Sequence, residues 1–130
     1  MLAFAFAFAL AAPAPPPPVA TAEVVAQKQV AAYNAHDVEA LAACFGDDVE
    51  FRSMEGKVEG EKGVAALRKG YAQLFKTYPK LKVKILDRII QGTFIIDQQQ
   101  AEGMGPDPIV VTAIYQISQG KIIRVWYIGG

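Results

Sequence analysis

A chain of 130 residues is long enough for one hydrophobic core and too short for two ordinary domains. Its 13 basic residues balance 13 acidic ones without a run of five like charges, which argues against nucleic acid and an anionic membrane surface as partners. A single cysteine, Cys44, rules out an intrachain disulfide, and with one histidine, His36, too few ligands remain for a structural zinc site. We expect no metal and no cofactor.

Residues 1–22 predict an N-terminal leader, which separates from a single domain at 23–130. Met1–Ala12 carries only apolar side chains, and the proline-rich run Pro13–Pro18 follows it. About ten apolar residues are too few to span a bilayer but suit the hydrophobic region of a secretory signal peptide. The basic residues that usually begin such a peptide are missing, so a disordered tail is the alternative. The leader predicts a periplasmic or secreted protein with no membrane segment after processing; otherwise the protein is cytoplasmic.

Three helices are predicted in the first half of the domain. Apolar residues at helical spacing indicate a first helix over Ala22–Asn34. Asp37 is a good N-cap for a second helix, Val38–Phe45. A third helix is predicted from Glu61, with apolar positions at i, i+3, i+4 and i+7, and Pro79 ends it.

The rest of the domain is predicted to form strands. Val49–Phe51 alternates as a short strand, and apolar residues alternate with lysines from Lys80 to Ile85. Three further strands are predicted at Thr93–Glu102, Ile109–Ser118 and Lys121–Ile128, joined by hairpin turns. Three helices followed by a four-stranded meander predict an α+β layer fold rather than a parallel βαβ array.

Four sequence strings, in their order and spacing, resemble the SnoaL-like branch of the nuclear transport factor 2-like superfamily, which also holds ketosteroid isomerase. They are AYNAHD at 32–37, FGDDV at 45–49, GEKG at 60–63 and GKIIRVW at 120–126. The resemblance implies a cone-shaped, cystatin-like fold, in which a curved antiparallel sheet is covered on its concave face by the N-terminal helices. A ligand-sized cavity between these layers and a homodimer through the outer sheet face are further implications.

The resemblance does not carry a reaction with it. Ketosteroid isomerases use a tyrosine, a protonated aspartate and an aspartate base, and an ungapped alignment places Gln29, Tyr115 and Ser53 at these positions. Epoxide hydrolases of this fold have an acidic residue in the last strand, where this chain has Tyr127. We therefore expect a protein that binds a small, largely apolar ligand with little or no catalysis. The alternatives are a cofactor-independent isomerase, cyclase or hydrolase, and a dimerising structural module with a filled cavity.

Asp97 is the candidate general base of the enzyme hypothesis, because it interrupts an apolar segment of a predicted central strand. Tyr115 and Tyr127 are the candidate hydroxyl donors, although large aromatic residues also simply fill cavities. Strand alternation directs either Asp97 or the pair Gln98 and Gln100 to the cavity, with at least one amide inward in both cases. The isomerase alignment favours Gln98 and Gln100 as ligand contacts and would turn Asp97 outward.

Several large side chains are predicted to line or roof the cavity, as core residues first and ligand contacts second. They are Tyr33, Phe51, Met54, Tyr71, Leu74, Phe75 and Val125. Arg124 and Trp126 are expected on the outer sheet face, where these residue types suit an interface. His36 is expected to cap or order the turn between the first two helices, and Cys44 to be a buried small hydrophobe.

Overall fold

The computed structural model describes residues 20–129, which form three helices and one five-stranded sheet. The helices are α1 (Ala22–Asn34), α2 (Val38–Ala42) and α3 (Val64–Thr77). The strands are β1 (Phe45–Arg52), β2 (Lys82–Gln91), β3 (Phe94–Glu102), β4 (Ile109–Ser118) and β5 (Lys121–Ile128). Most of the predicted leader, residues 1–19, lies outside the described part of the chain. Over residues 20–129, no helix has the length and apolar character to cross a membrane.

The sheet has the strand order β1-β5-β4-β3-β2. Strands β2 to β5 form the predicted antiparallel meander. Strand β1 joins its edge beside β5 in parallel orientation, so the sheet is mixed, where a wholly antiparallel sheet was expected. A parallel pair needs a long crossover connection, which α3 and the first three meander strands provide here. The α+β fold class is confirmed.

Local sequence signals account for most helix boundaries. The Thr21 hydroxyl accepts a hydrogen bond from the backbone of Val24 at the start of α1, and the Asp37 carboxylate caps α2 at the backbone of Ala40. Helix α2 ends at Ala42, earlier than the predicted Phe45, because Phe45 already pairs with β5. Helix α3 begins at Val64 rather than Glu61, since the preceding glycine has a left-handed φ of 102°.

The turn after α1 is fastened to β2 by side chains of the string AYNAHD. The Asn34 amide donates to the carbonyl of Val83 and accepts from its backbone N–H, at 2.9 and 2.8 Å. The ring nitrogen Nε2 of His36 donates to the carbonyl of Leu81 at 2.6 Å. Because β2 is an edge strand, these bonds satisfy backbone groups that would otherwise be unpaired. His36 therefore orders the turn, in agreement with its predicted role.

Strand β2 is longer than predicted and contains a bulge at Leu86. Ile85 pairs with Gln99 and Asp87 pairs with Gln98, which leaves Leu86 as the extra residue. Because a bulge adds one residue, the side chains that follow it point to the opposite face from the one that simple alternation would give. Arg88 is thereby brought directly opposite Asp97 on β3.

The hydrophobic core lies between the helices and the inner face of the sheet. Helix α1 packs across β2, β3 and β4, and α3 packs against β1. Core side chains from all layers are buried here, among them Val25, Leu41, Leu67, Phe75, Ile95, Ile122 and Val125. Burying one such aliphatic or aromatic side chain stabilises a fold by roughly 1.5–3 kcal/mol. The same layers also enclose a cavity.

Candidate functional site

A cavity of about 280 Å³ lies between α1, α3 and the inner face of β2–β5. Its polar lining consists of two glutamines and four tyrosines, and the remaining lining is aliphatic or thioether. The lining residues are Gln29, Tyr33, Tyr71, Leu74, Val83, Gln99, Ala101, Met104, Ile109, Val111, Tyr115 and Tyr127. No charged side chain of residues 20–129 is among them. The cavity is open space, which contradicts the hypothesis of a structural module with a filled interior.

Strand β3 turns alternate side chains toward the helices. Asp97 and Gln99 are buried on this inner face, whereas Gln98 is exposed and Gln100 lies beside it on the outer face, where its amide donates to Glu102. The structure therefore corrects the predicted inward pair Gln98 and Gln100. Gln99 is the glutamine of this strand that borders the cavity. The isomerase alignment was wrong by one residue in this strand, so it assigned the side chains of β3 to the opposite faces of the sheet.

Asp97 is inward-facing and wholly buried, but it is not available as a base. Both carboxylate oxygens accept hydrogen bonds from Arg88, one from Nε at 2.7 Å and one from Nη2 at 2.8 Å. These bonds raise the pKa of Arg88, and Asp97 is not among the residues that line the cavity. Both oxygens of the carboxylate are occupied by charge-assisted bonds to Arg88, and Asp97 does not border the space where a ligand would lie. The predicted catalytic role of Asp97 is therefore not supported by its geometry.

Tyr115 and Tyr127 meet in the cavity, as predicted. The amide Nε2 of Gln99 donates to the Tyr115 hydroxyl at 2.9 Å. The hydroxyls of Tyr115 and Tyr71 are near enough to Tyr127 for these residues to affect one another's pKa. Tyr127 is 42% exposed as a whole residue and borders the cavity.

The hydroxyls of these tyrosines stay protonated at neutral pH. Burial raises the pKa of Tyr71 and Tyr115 well above the ordinary tyrosine value and also raises that of Tyr127, where the nearby hydroxyls of Tyr71 and Tyr115 oppose the effect of burial. Burial together with the neighbouring Tyr127 raises the pKa of Tyr33 to about 12. The cavity therefore presents neutral hydrogen-bonding groups to a ligand.

Aromatic packing holds the helical side of the cavity. The ring of Tyr33 meets those of Tyr71 and Phe75 edge to face, with centroid distances of 5.8 and 5.3 Å. Tyr33 and Tyr71 line the cavity as predicted. Phe75 does not, because it is buried in the core and stacks on His36 at 4.3 Å. It supports the lining from behind.

The other predicted contacts lie outside the cavity. Phe51 borders a separate groove of about 270 Å³ beside α3, which shares Tyr71 and Leu74 with the cavity. Met54 is in the loop after β1 and is 57% exposed. Val125 is fully buried in the core and does not border the open space. The prediction that these three residues contact a ligand in the cavity is therefore wrong.

Gln29, which the alignment places at the isomerase tyrosine position, was not predicted as a ligand contact. Its side chain lies in α1, is 3% exposed and borders the cavity, and its oxygen Oε1 has no hydrogen-bond partner among residues 20–129. A signal was present in the sequence, because Gln29 lies four residues after Val25 and three before Ala32, on the buried face of the helix. A glutamine at a core position indicates either a buried partner or a ligand contact.

Within residues 20–129, no group of three histidine, cysteine or carboxylate residues is arranged to hold a metal ion. Cys44 is buried, and its thiol donates to the carbonyl of Ala40. The site consists of amides, phenols and apolar side chains. Such a site can orient a neutral ligand but has no strong acid, base or nucleophile to react with it.

A model of the SnoaL-like domain matches residues 26–125, most of the folded region. The protein belongs to the SnoaL-like family. No curated protein matches its sequence. The SnoaL-like and nuclear transport factor 2-like families include proteins described as isomerases, cyclases and hydroxylases.

Solved structures share the SnoaL-like fold over most of the chain. A cystatin-fold protein of Novosphingobium aromaticivorans is 27% identical, with a TM-score of 0.76, over 84% of this chain and 98% of that one. A proposed ketosteroid isomerase of Kribbella flavida is 17% identical, with a TM-score of 0.71, over 84% and 77% of the two chains. A proposed polyketide cyclase of Sinorhizobium meliloti is 20% identical, with a TM-score of 0.69, over 81% and 94%.

The isomerase alignment of the sequence predicts Gln29 at the position of the first-helix tyrosine and Tyr115 at that of the protonated aspartate of the sheet. Both residues border the cavity. Ser53, at the position of the base, lies in the turn after β1, where its hydroxyl accepts from the backbone of Lys57. At the two of these predicted positions that border the cavity, this protein has an amide and a phenol.

Proposed function

We propose that this SnoaL-like protein binds a small, uncharged and largely apolar molecule in the cavity between the helices and the sheet. The observation that carries the proposal is the lining, in which amides and phenols are set among apolar side chains without a charged group. Such a lining favours a ligand that is mostly hydrocarbon with few polar atoms. At about 280 Å³ the cavity is near the lower limit of small-molecule sites, so it suits a compact compound of one or two rings.

The chemistry of the site favours binding over catalysis. The raised pKa of Tyr71 and Tyr115 keeps both hydroxyls neutral, so they donate hydrogen bonds without accepting a proton from the ligand. The buried carboxylate of Asp97 is paired with Arg88. An isomerase or cyclase reaction needs a base that removes a proton from the substrate. The lining contains amides, protonated tyrosines and apolar side chains, and none of these is such a base.

Filling the cavity tests this function directly. Val111 points into the cavity, whereas its neighbour Val110 is exposed on the other face of the same strand. Small molecules that copurify with the full-length protein can be identified by native mass spectrometry. We expect a ligand with the wild-type protein and with Val110→Phe, and none with Val111→Phe. A ligand retained by Val111→Phe, or no ligand on any of the three proteins, contradicts the proposal.

We further infer a homodimer through the outer face of the sheet. Ile89, Ile96, Ile114 and Trp126 are cross-strand neighbours in one row across β2, β3, β4 and β5. Ile89 is 55% exposed, and the row forms an apolar stripe on the face that carries no helix. Ile96, Ile114 and Trp126 are partly exposed. A contiguous apolar stripe on an uncovered sheet face is characteristic of an interaction surface. A second copy of the same stripe provides a self-complementary partner.

We also propose that the protein is exported. The support is the apolar segment Met1–Ala12 followed by small-residue cleavage sites. N-terminal sequencing of the protein purified from the cell envelope and from the cytoplasm tests this. A mature chain that begins after Ala11 or Ala22 is expected in the envelope, and an intact Met1 in the cytoplasm alone contradicts export.

A further inference from the structure

The groove of about 270 Å³ beside α3 lies next to the cavity. Phe51, Ala66, Leu67 and Gly70 line it together with two residues of the cavity wall, and Glu61 is the charged residue of this lining. Small-molecule sites commonly measure about 300–1,000 Å³. The cavity and the groove each fall just below this range, and together they lie within it. The groove therefore offers a second compartment for one ligand of ordinary size.

Side chains form the boundary between the cavity and the groove. Tyr71 and Leu74, about one turn apart on α3, border both spaces. Phe51 of the groove stacks on Tyr127 of the cavity, with a centroid distance of 6.2 Å. Side chains change rotamer much faster than helices or strands move. A ligand can therefore reach from one space into the other without a rearrangement of the fold.

Gly70 lies in the middle of α3, where glycine is less favourable than alanine. Neither the backbone nor the packing requires a glycine here, since its φ is not positive and a Cβ would meet no atom within 4 Å. Gly70 borders the groove, so a larger side chain would take up open space there. The glycine thus keeps the groove open, although the helix is less stable for it.

We propose that the binding site extends past Tyr71 into the groove, and that the ligand is a ring system with an unbranched aliphatic arm that lies against Gly70. This inference rests on the proposed binding function and specifies the shape of the ligand. The ring system takes the cavity, where amides and phenols orient its polar atoms. The arm takes the groove, whose lining is mostly apolar and whose Glu61 would repel an anionic end group. An unbranched chain is the narrowest group that can pass the aromatic side chains at the boundary.

A matched pair of probes tests the arm. The compounds are 4-methylphenol and 4-hexylphenol, which share the ring and the hydroxyl and differ in the length of the alkyl chain. Isothermal titration calorimetry gives the Kd of each compound for the wild-type protein, for Gly70→Leu and for Ala72→Leu. Both substitutions place the same side chain on α3, but Ala72 is exposed and does not border the groove. Leucine favours helices, and a thermal melt verifies that both variants are folded.

The longer probe should lose its advantage only when the groove is filled. In the wild-type protein and in Ala72→Leu, 4-hexylphenol is expected to bind at least about tenfold more tightly than 4-methylphenol, because additional methylene groups are buried. In Gly70→Leu, 4-hexylphenol is expected to bind roughly tenfold more weakly than it does to the wild type. The Kd of 4-methylphenol should stay within about twofold of the wild-type value, because its ring occupies the cavity alone.

The outcomes separate this inference from the proposed function. If both probes bind the wild-type protein and Gly70→Leu leaves the ratio of their Kd values unchanged, the arm does not occupy the groove. The inference then fails, while the binding function stands. Equal affinities of the two probes for the wild-type protein overturn the inference in the same way. If neither probe binds the wild-type protein, both the inference and the binding function fail.

Discussion

Arg88 and Asp97 lie directly opposite each other on neighbouring strands, and two hydrogen bonds of 2.7 and 2.8 Å join the guanidinium to the carboxylate. Asp97 has no exposed surface, while the Arg88 side chain is 16% exposed. The arginine therefore covers the carboxylate from the edge of the sheet. A residue that suggests catalysis from its place in the sequence serves here to fasten β2 to β3.

Removal of one partner should be strongly destabilising. We expect Asp97→Ala to lower the free energy of unfolding by about 3–5 kcal/mol, since Arg88 would be left next to an apolar interior without its counter-ion. The double variant Arg88→Met/Asp97→Leu should lose much less, because no charge remains unpaired. Urea unfolding of the two variants provides the measurement. Equal losses in the single and double variants would show that the unpaired charge of Arg88 is not the cause of the destabilisation.

Gln29→Met should make the protein more stable. The substitution removes a buried acceptor that has no partner, and the expected gain is about 1 kcal/mol. Thermal unfolding monitored by circular dichroism measures it, with Gln98→Met expected within about 0.5 kcal/mol of the wild type. A less stable Gln29→Met variant would mean that the glutamine has a structural partner in the free protein.

Alkaline pH should destabilise the fold through the buried tyrosines. The pKa of Tyr33 is raised to about 12 in the folded protein, while tyrosine in an unfolded chain ionises near pH 10. The stabilisation is therefore complete below about pH 10 and is lost as the pH rises toward about 12. We expect Tyr33→Phe to reduce this loss, as measured by urea unfolding at about pH 8 and about pH 11. An identical pH dependence in both proteins would refute the assignment.

Two glycines should respond oppositely to alanine. A Cβ at Gly70, inside α3, would meet no atom within 4 Å, so Gly70→Ala should stabilise the helix by about 0.5–1 kcal/mol. Gly103 has a φ of 97°, and a Cβ there would lie 2.8 Å from the backbone nitrogen of Leu81 and still closer to the carbonyl of Lys80. Gly103→Ala should destabilise by roughly 1–3 kcal/mol. Chemical denaturation of both variants tests the contrast, and equal effects would contradict it.

A charge in the middle of the apolar row should dissociate the inferred dimer. Ile114 lies between Ile96 and Trp126 in that row, so Ile114→Lys would place an ammonium group in the interface. Sedimentation velocity should show a dimer for the wild type and a monomer for this variant. Val58 is exposed in the loop after β1, away from the sheet face, and Val58→Lys is the control that should stay dimeric. A monomeric wild-type protein would remove the inference.

The strands of the meander could be located from sequence, because alternating apolar residues and hairpin turns are local signals. Thr93–Glu102 differs from β3 by one residue, and the last two strands coincide with their predictions. The face of Asp97 could not be derived in the same way, since a shift of one residue reverses every side chain of a strand. The inward arginine at position 88 depends on the bulge at Leu86, which is set by pairing with β3 and not by local sequence.

The parallel partner of β1 was equally hidden from local sequence. Phe45 and Phe51 pair with residues of β5, far along the chain, and such pairing leaves no turn signal between the two strands. The helical spacing of the residues before Phe45 instead suggested a longer α2. In the cavity, the tyrosines were predictable from the resemblance. The helical spacing of Gln29 was a signal in the sequence, but which glutamine of β3 faces the open space could be decided only from the folded layers.

The position of β5 between β1 and β4 has a consequence for biosynthesis. Strand β1 leaves the ribosome first and has no neighbour in the sheet until residues 121–128 have been made. Its backbone hydrogen-bonding groups therefore stay unpaired while the whole meander is translated. A nascent chain stalled before β5 should expose this edge to chaperones. A chain shortened within β5 would lack an interior strand of the sheet and would divide it into two unpaired parts.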